Sequence, residues 1–84
     1  MDVVKEIRGF IVENFLFGDA TVPLEEGDSL LQRGLIDSTG ILEVISFIEG
    51  KFGISVDDDE VVPDNLDSIG AIAKYVMRKQ EVNV

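Results

Sequence analysis

The chain has no cysteine, no histidine and no tryptophan, and its 84 residues include only one tyrosine, two prolines and seven cations. Each shortage excludes something. Without cysteine and histidine there is no disulfide, no zinc site of the usual ligands, no Ser-His-Asp or Cys-His nucleophile system and no imidazole acid–base chemistry. The missing cysteine is compatible with a reducing compartment. Seven Lys and Arg against 17 Asp and Glu give a net charge of −10. That balance argues strongly against binding a nucleic-acid backbone and favours partners with basic surfaces. No apolar run approaches the roughly 18 residues of a membrane span, and the acidic N-terminal segment lacks a signal-peptide pattern. A soluble cytoplasmic protein with no membrane insertion is the expectation.

What is present suffices for a core. Hydrophobic residues make up 45% of the chain, and residues 1–84 read as one small domain without repeats or linkers. Three amphipathic stretches dominate. In the first, about Val3 to Leu16, Val4, Ile7, Ile11 and Phe15 recur at helical spacing, Phe10 widens the stripe, Asp2 is a candidate N-cap, and Gly18 and Asp19 end the segment. In the second, about Ser38 to Lys51, Ile41, Ile45, Ile48 and Phe52 form the stripe, with Val44 and Phe47 beside it and Glu43 and Glu49 off it. Asp37 or Ser38 caps its start, and Phe52-Gly53 closes it. The last starts near Asp67, with Ile69, Ile72, Ala73, Val76 and Met77 inward and Lys74, Arg78 and Lys79 suiting the dipole at its end. Ile45 and Ile48 are expected to pack against Ile7, Phe15, Ile69 and Ile72.

Between them lie a long connection and a short helix. Residues 18–37 contain Pro23, Gly27 and Gly34, and Ser29 to Arg33 can make one turn capped by Asp28 or Ser29. Leu30, Leu31, Leu35 and Ile36 are apolar enough to pin this loop to the bundle, and so long a connection in so small a domain is often functional. Asp57 to Val62 reads as a short acidic helix ended by Pro63. No stretch shows a persuasive strand pattern, so the expectation is all-α: a four-helix bundle with a long loop between helices 1 and 2 and a short helix 3.

The acids are concentrated. Residues 37–69 hold nine of them and a single base, Lys51, as a solvated face or a docking surface for basic partners would. Asp57-Asp58-Asp59-Glu60 fails the calcium-loop pattern, because Val61 and Val62 stand where an oxygen ligand and a glycine belong. No metal site is expected.

Gly34-Leu35-Ile36-Asp37-Ser38-Thr39-Gly40 is the most informative stretch. Ser38 stands at the mouth of an amphipathic helix, after a long loop and among acids. It has no base to activate it, so it is a poor catalytic nucleophile, and no catalytic residues are assigned. As an acceptor of a phosphodiester added by another enzyme it would sit at the positive end of the helix dipole, with Asp37 opposing by repulsion.

The ordered set of Asp37-Ser38 opening a helix, Glu43 five residues later, the run Glu43 to Phe52 with Gly53-Ile54, an acidic short helix, and Leu66-Asp67-Ser68-Ile69 opening the last helix resembles the acyl carrier protein family, including its peptidyl and D-alanyl carriers. The resemblance covers nearly the whole chain. It implies a non-enzymatic carrier whose Ser38 bears covalent 4′-phosphopantetheine, with acyl or aminoacyl groups held on its thiol as thioesters and moved between enzymes of a fatty acid, polyketide or related pathway. It also implies that Asp37, Thr39, Leu42, Glu43 and Glu49 belong to the surface that partners read. The implied partners are a phosphopantetheinyl transferase, an acyl- or aminoacyl-activating ligase and downstream acyl-transfer enzymes with basic docking surfaces, met by a monomeric carrier. Thr39 and Gly40 replace the Leu and acid that follow the serine in fatty-acid carriers. This looks closer to aminoacyl or D-alanyl carriers loaded by a stand-alone adenylating ligase. The reading from another class is a small acidic helical adaptor without a prosthetic group.

Overall fold

In the computed structural model, which describes residues 2–19, 21 and 23–82, the elements run α1 (Val3–Phe15), α2 (Ser38–Phe52), a single 3-10 turn (Asp58–Glu60), α3 (Pro63–Leu66) and α4 (Ile69–Val82). There is no strand among the described residues, and the all-α bundle with a long first loop is the observed architecture. α1 and α3 pack mainly on α4, and α2 touches α4 more lightly. The core is entirely apolar apart from one phenol: Ile7, Ile11, Leu30, Val44, Ile48, Leu66, Ile69, Ile72, Val76 and Tyr75 are fully buried.

Local chemistry accounts for the helix ends. The Asp2 carboxylate accepts from Lys5 N at 3.1 Å and caps α1. At the other end Gly18 N donates to Val12 O at 2.9 Å, with Phe17 and Gly18 both at positive φ. α2 ends on Gly53 in the left-handed region, its N–H returning to Glu49 O. α1 and α2 lie antiparallel. Glu6 pairs with Lys51 at 3.5 Å, the rings of Phe10 and Phe47 stack at 4.2 Å, and Phe15 lies against Gly40.

The long loop is held down as its leucines suggest. Leu30 and Ile36 are buried and Leu35 half-buried, but Leu31 faces water. Ser29 Oγ donates to Asp67 at 2.5 Å, Leu31 N donates to the same carboxylate at 2.9 Å, and Leu30 N donates to Asp67 O at 2.7 Å. Further along, Gly70 N donates to Glu26 O at 2.9 Å, an approach that leaves a Cβ at Gly70 only 3.1 Å from that oxygen. Within the loop, Gln32 N donates to Ser29 Oγ, and the turn that follows ends at Gly34 with φ +72.

Three expectations are corrected. The short helix is not Asp57–Val62 ended by Pro63. The acids close only a 3-10 turn, Val62 is extended (φ −134, ψ 154) because it precedes proline, and Pro63 opens α3, where its missing N–H costs nothing. α4 begins at Ile69, two residues after Asp67 has closed α3 and close to the expected start, and Ser68 Oγ accepts from Ala71 N at 3.1 Å. In its stripe, Tyr75 is inside and Met77 is 45% exposed, so the inner face runs 69, 72, 73, 75 and 76. On α2 the deepest residues are Gly40, Val44 and Ile48, while Ile41, Ile45 and Phe52 are half-buried on its flank.

Candidate attachment site at the start of α2

The start of α2 is built by division of labour between two neighbours. Asp37 is extended (φ −111, ψ −171), and its carboxylate accepts from Gly40 N at 2.8 Å. Its carbonyl accepts from Ile41 N at 3.0 Å. Asp37 is therefore the N-cap and Ser38 the first helical residue. The cap that the sequence left open between the two is decided in favour of the aspartate. Ser38 is exposed, and its hydroxyl takes no part in the cap or in any other hydrogen bond among the described residues. Because Asp37 engages Gly40 N, the N–H groups left over at this end are those of Ser38 and Thr39.

The wall behind Ser38 is packed. Gly40 is buried, and a Cβ there would lie 2.9 Å from Phe15 Cε1 and 3.1 Å from Ile36 Cγ2. The glycine that costs helix propensity is what lets α2 close onto the end of α1 and the end of the long loop. This purpose is not visible in the sequence, because the partners are 25 and four residues away. Beside it opens a depression of about 280 Å³ lined by Phe15, Gly34, Leu35, Asp37, Thr39, Gly40 and Glu43.

The candidate recognition residues fall into two groups. Asp37, Thr39, Leu42 and Glu43 are exposed together on the outer face of the first turns of α2. Glu43 and Thr39 border both the depression above and a shallow groove on the Phe10–Phe47 side. Glu49 stands apart: it is half-buried, and its carboxylate accepts from Val56 N at 3.0 Å, tying down the chain that follows α2.

The acidic run 57–60 is tied to the fold chiefly through Glu60, with the Asp57 carboxylate 3.7 Å from the Lys79 ammonium. Glu60 Oε1 accepts from Lys79 Nζ and Tyr75 Oη, both at 2.9 Å, and from Asp57 N at 3.2 Å. The Lys79 ammonium, then the Asp57 amide and the Tyr75 hydroxyl, hold the Glu60 carboxyl down at about 2. Burial, followed by the Glu60 hydrogen bond, pushes the Tyr75 phenol up. Among the described residues no group of His, Cys, Asp or Glu has the arrangement of a metal site, and no helix is long and apolar enough to cross a membrane.

No known family profile matches the chain. No curated protein matches it either. Its fold does match a solved structure. The solution structure of a holo acyl carrier protein from Nitrosomonas europaea superposes with a TM-score of 0.78 at 27% identity, covering 96% of this chain and 99% of that one. The chain has the acyl carrier protein fold, and the likeness marked by its motifs extends to the whole structure. That neighbour is a carrier and not an enzyme, which supports a carrier role in general, exercised with partner enzymes.

Proposed function

We propose that this protein is a phosphopantetheine-dependent carrier with Ser38 as its attachment point. It holds acyl or aminoacyl groups as it passes between enzymes of a biosynthetic pathway. The observation that carries the reading is the exposed Ser38 hydroxyl, left free by the Asp37 cap on the first turn of α2.

The residues present fit the group. A phosphodiester on Ser38 Oγ would lie next to the unengaged N–H groups of Ser38 and Thr39 at the positive end of a 15-residue helix. Asp37 spends carboxylate charge on Gly40 N, which turns part of its repulsion inward. When bound, 4′-phosphopantetheine supplies a thiol on a long flexible arm, on which cargo is held as a thioester. The protein's own residues supply the rest. Phe15, Gly40 and Ile36 fix the direction in which Ser38 faces. Thr39, Leu42 and Glu43 offer a partner surface beside it, and tethering raises the local concentration of cargo at each enzyme visited. Docking that is weak and steered by charge lets the carrier leave.

Gly40 is accounted for by Phe15 rather than by any cargo. The departure from the fatty-acid carrier pattern at this position therefore does not by itself select an aminoacyl or D-alanyl pathway. The adaptor reading explains the bundle and the charge but gives the free serine no task.

Incubation with coenzyme A, magnesium and a broad-specificity phosphopantetheinyl transferase, followed by intact mass measurement, tests the proposal. One added phosphopantetheinyl group is expected on the wild type and none on Ser38→Ala. No mass gain with several transferases would leave the adaptor reading in possession.

A further inference from the structure

One exposed group has no role in the fold or in the carrier reading. Phe17 is 93% exposed, more than any other large apolar side chain described, and its φ is +54. A bulky residue in the left-handed region is strained, and such strain persists where surrounding structure enforces it. Here the enforcement is the turn closing α1, in which Gly18 N donates to Val12 O and Asp19 N to Leu16 O, both at 2.9 Å. The chain thus holds an aromatic ring in water on a strained backbone.

The antiparallel pairing of α1 and α2 decides which end of the bundle this ring occupies. Glu6 meets Lys51, Phe10 meets Phe47 and Phe15 meets Gly40 in register. Phe17 lies two residues beyond the last pair on α1, and Ser38 two residues before it on α2. Leu42, 64% exposed, follows one turn after Ser38 on the outer face of α2.

Charge selects the occupant. The carboxylates at this end are Asp19, Asp37 and Glu43. Asp19 accepts from Thr21 N at 3.0 Å and from Thr21 Oγ1 at 2.5 Å, and these bonds lower its pKa and keep it ionised. The depression beside Ser38 has no Lys or Arg in its lining, and Arg33, the cation nearest in sequence, is bound to Pro23 O and the Asp28 carboxylate. A second copy of this chain would set carboxylate against carboxylate, so self-association is disfavoured. An apolar cleft rimmed by Lys or Arg is the complement.

We infer that Phe17 and Leu42 are two separate apolar anchors at this end of the bundle for the enzyme that modifies Ser38, each seated in an apolar pocket with a basic rim. The inference rests on the carrier reading of Ser38. Exposed aromatics that dominate a contact lose about fivefold to thirtyfold in affinity when truncated.

The test is steady-state transfer from coenzyme A by a broad-specificity phosphopantetheinyl transferase to wild type, Phe17→Asn, Leu42→Asn and Met77→Gln. Asparagine tolerates positive φ, so Phe17→Asn keeps the fold, and its melting temperature stays level or rises. The expected result is a KM raised at least fivefold for Phe17→Asn and for Leu42→Asn, with kcat within twofold, and a Met77→Gln protein indistinguishable from wild type. An unchanged KM for Phe17→Asn, or an equal rise for Met77→Gln, overturns the anchor while leaving Ser38 as the attachment point. A wild-type protein that takes no group at all removes the carrier reading and the anchor with it.

Discussion

The Phe15 ring occupies the space in which a side chain at position 40 would begin: a Cβ on Gly40 would stand 2.9 Å from Phe15 Cε1. The contact joins the last residue of α1 to the third residue of α2, and so sets the wall against which Ser38 is presented. Gly40→Ala gains up to about 1 kcal/mol of helix propensity but overpacks by about 1–3 kcal/mol. A net loss of about 1 kcal/mol is expected by urea denaturation. In a Phe15→Leu background the same substitution should become neutral or stabilising, and the double-mutant cycle should show a coupling of at least about 1 kcal/mol.

Glu43 and Glu49 look equivalent in the sequence, both acids off the apolar stripe of α2. Their surroundings differ. Glu43 is exposed beside Ser38, while Glu49 holds Val56 N. Glu43→Lys should slow phosphopantetheinyl transfer at low ionic strength, with the deficit shrinking at high salt as screening removes steering, and stability unchanged. Glu49→Lys should cost about 1–2 kcal/mol of stability, because a partly buried amide loses its charged acceptor. Transfer rates against salt and chemical denaturation of both variants separate the two roles.

What the sequence disclosed follows from periodicity and its reach. α1, α2 and α4 each span three turns or more, so their apolar spacing marks them within a residue or two. α3 has four residues, Pro63–Leu66, too few for any period to register, and Pro63 serves as well to open a helix as to end one. Met77 is expected inside and is not, and Tyr75, absent from the expected stripe, is inside because its polar tip finds Glu60, a partner visible only in three dimensions. The candidate site at Ser38 is legible as a motif, and the exposure of its hydroxyl is not. The decisive geometry depends on Asp37 rather than Ser38 taking Gly40 N, a choice between two good caps. Phe17 carried no signal, since a lone aromatic after a helix reads as core until its backbone conformation is known.

The Glu60–Lys79 pair gives stability a definite pH dependence. A carboxyl whose pKa is lowered by folding, here from 4.5 to about 2, stabilises the native state above the unfolded value and loses that contribution as pH falls through the folded one. Replacing Lys79 with methionine removes the largest cause of the shift. The stability difference between wild type and Lys79→Met should therefore be level between about pH 4.5 and about pH 10.5, the ordinary values of the two groups, and fall above that range as Lys79 loses its charge. It should narrow steadily as pH falls towards about 2. Equilibrium denaturation across that range checks it, and a gap that widens on acidification would contradict the assignment.

Asp67 is the clasp of the long loop, accepting from Ser29 Oγ and Leu31 N through its side chain and from Leu30 N through its carbonyl. Asp67→Ala removes the two side-chain bonds and should cost about 2 kcal/mol. Hydrogen exchange should show lost protection at the Leu31 amide, with the amides of α1 and the middle of α4 affected only through global stability. Ser29→Ala should reproduce a smaller part of the same change.

The most direct trial of the central claim is site-resolved peptide mass spectrometry of the protein after transfer from coenzyme A. The chain offers several hydroxyls close to one another in sequence, among them Ser29, Ser38, Thr39 and Ser46. The account predicts a single phosphopantetheinylated residue, Ser38, at full occupancy, with the other hydroxyls untouched. A group found on any neighbour instead, or a fully folded chain that stays unmodified, would contradict it.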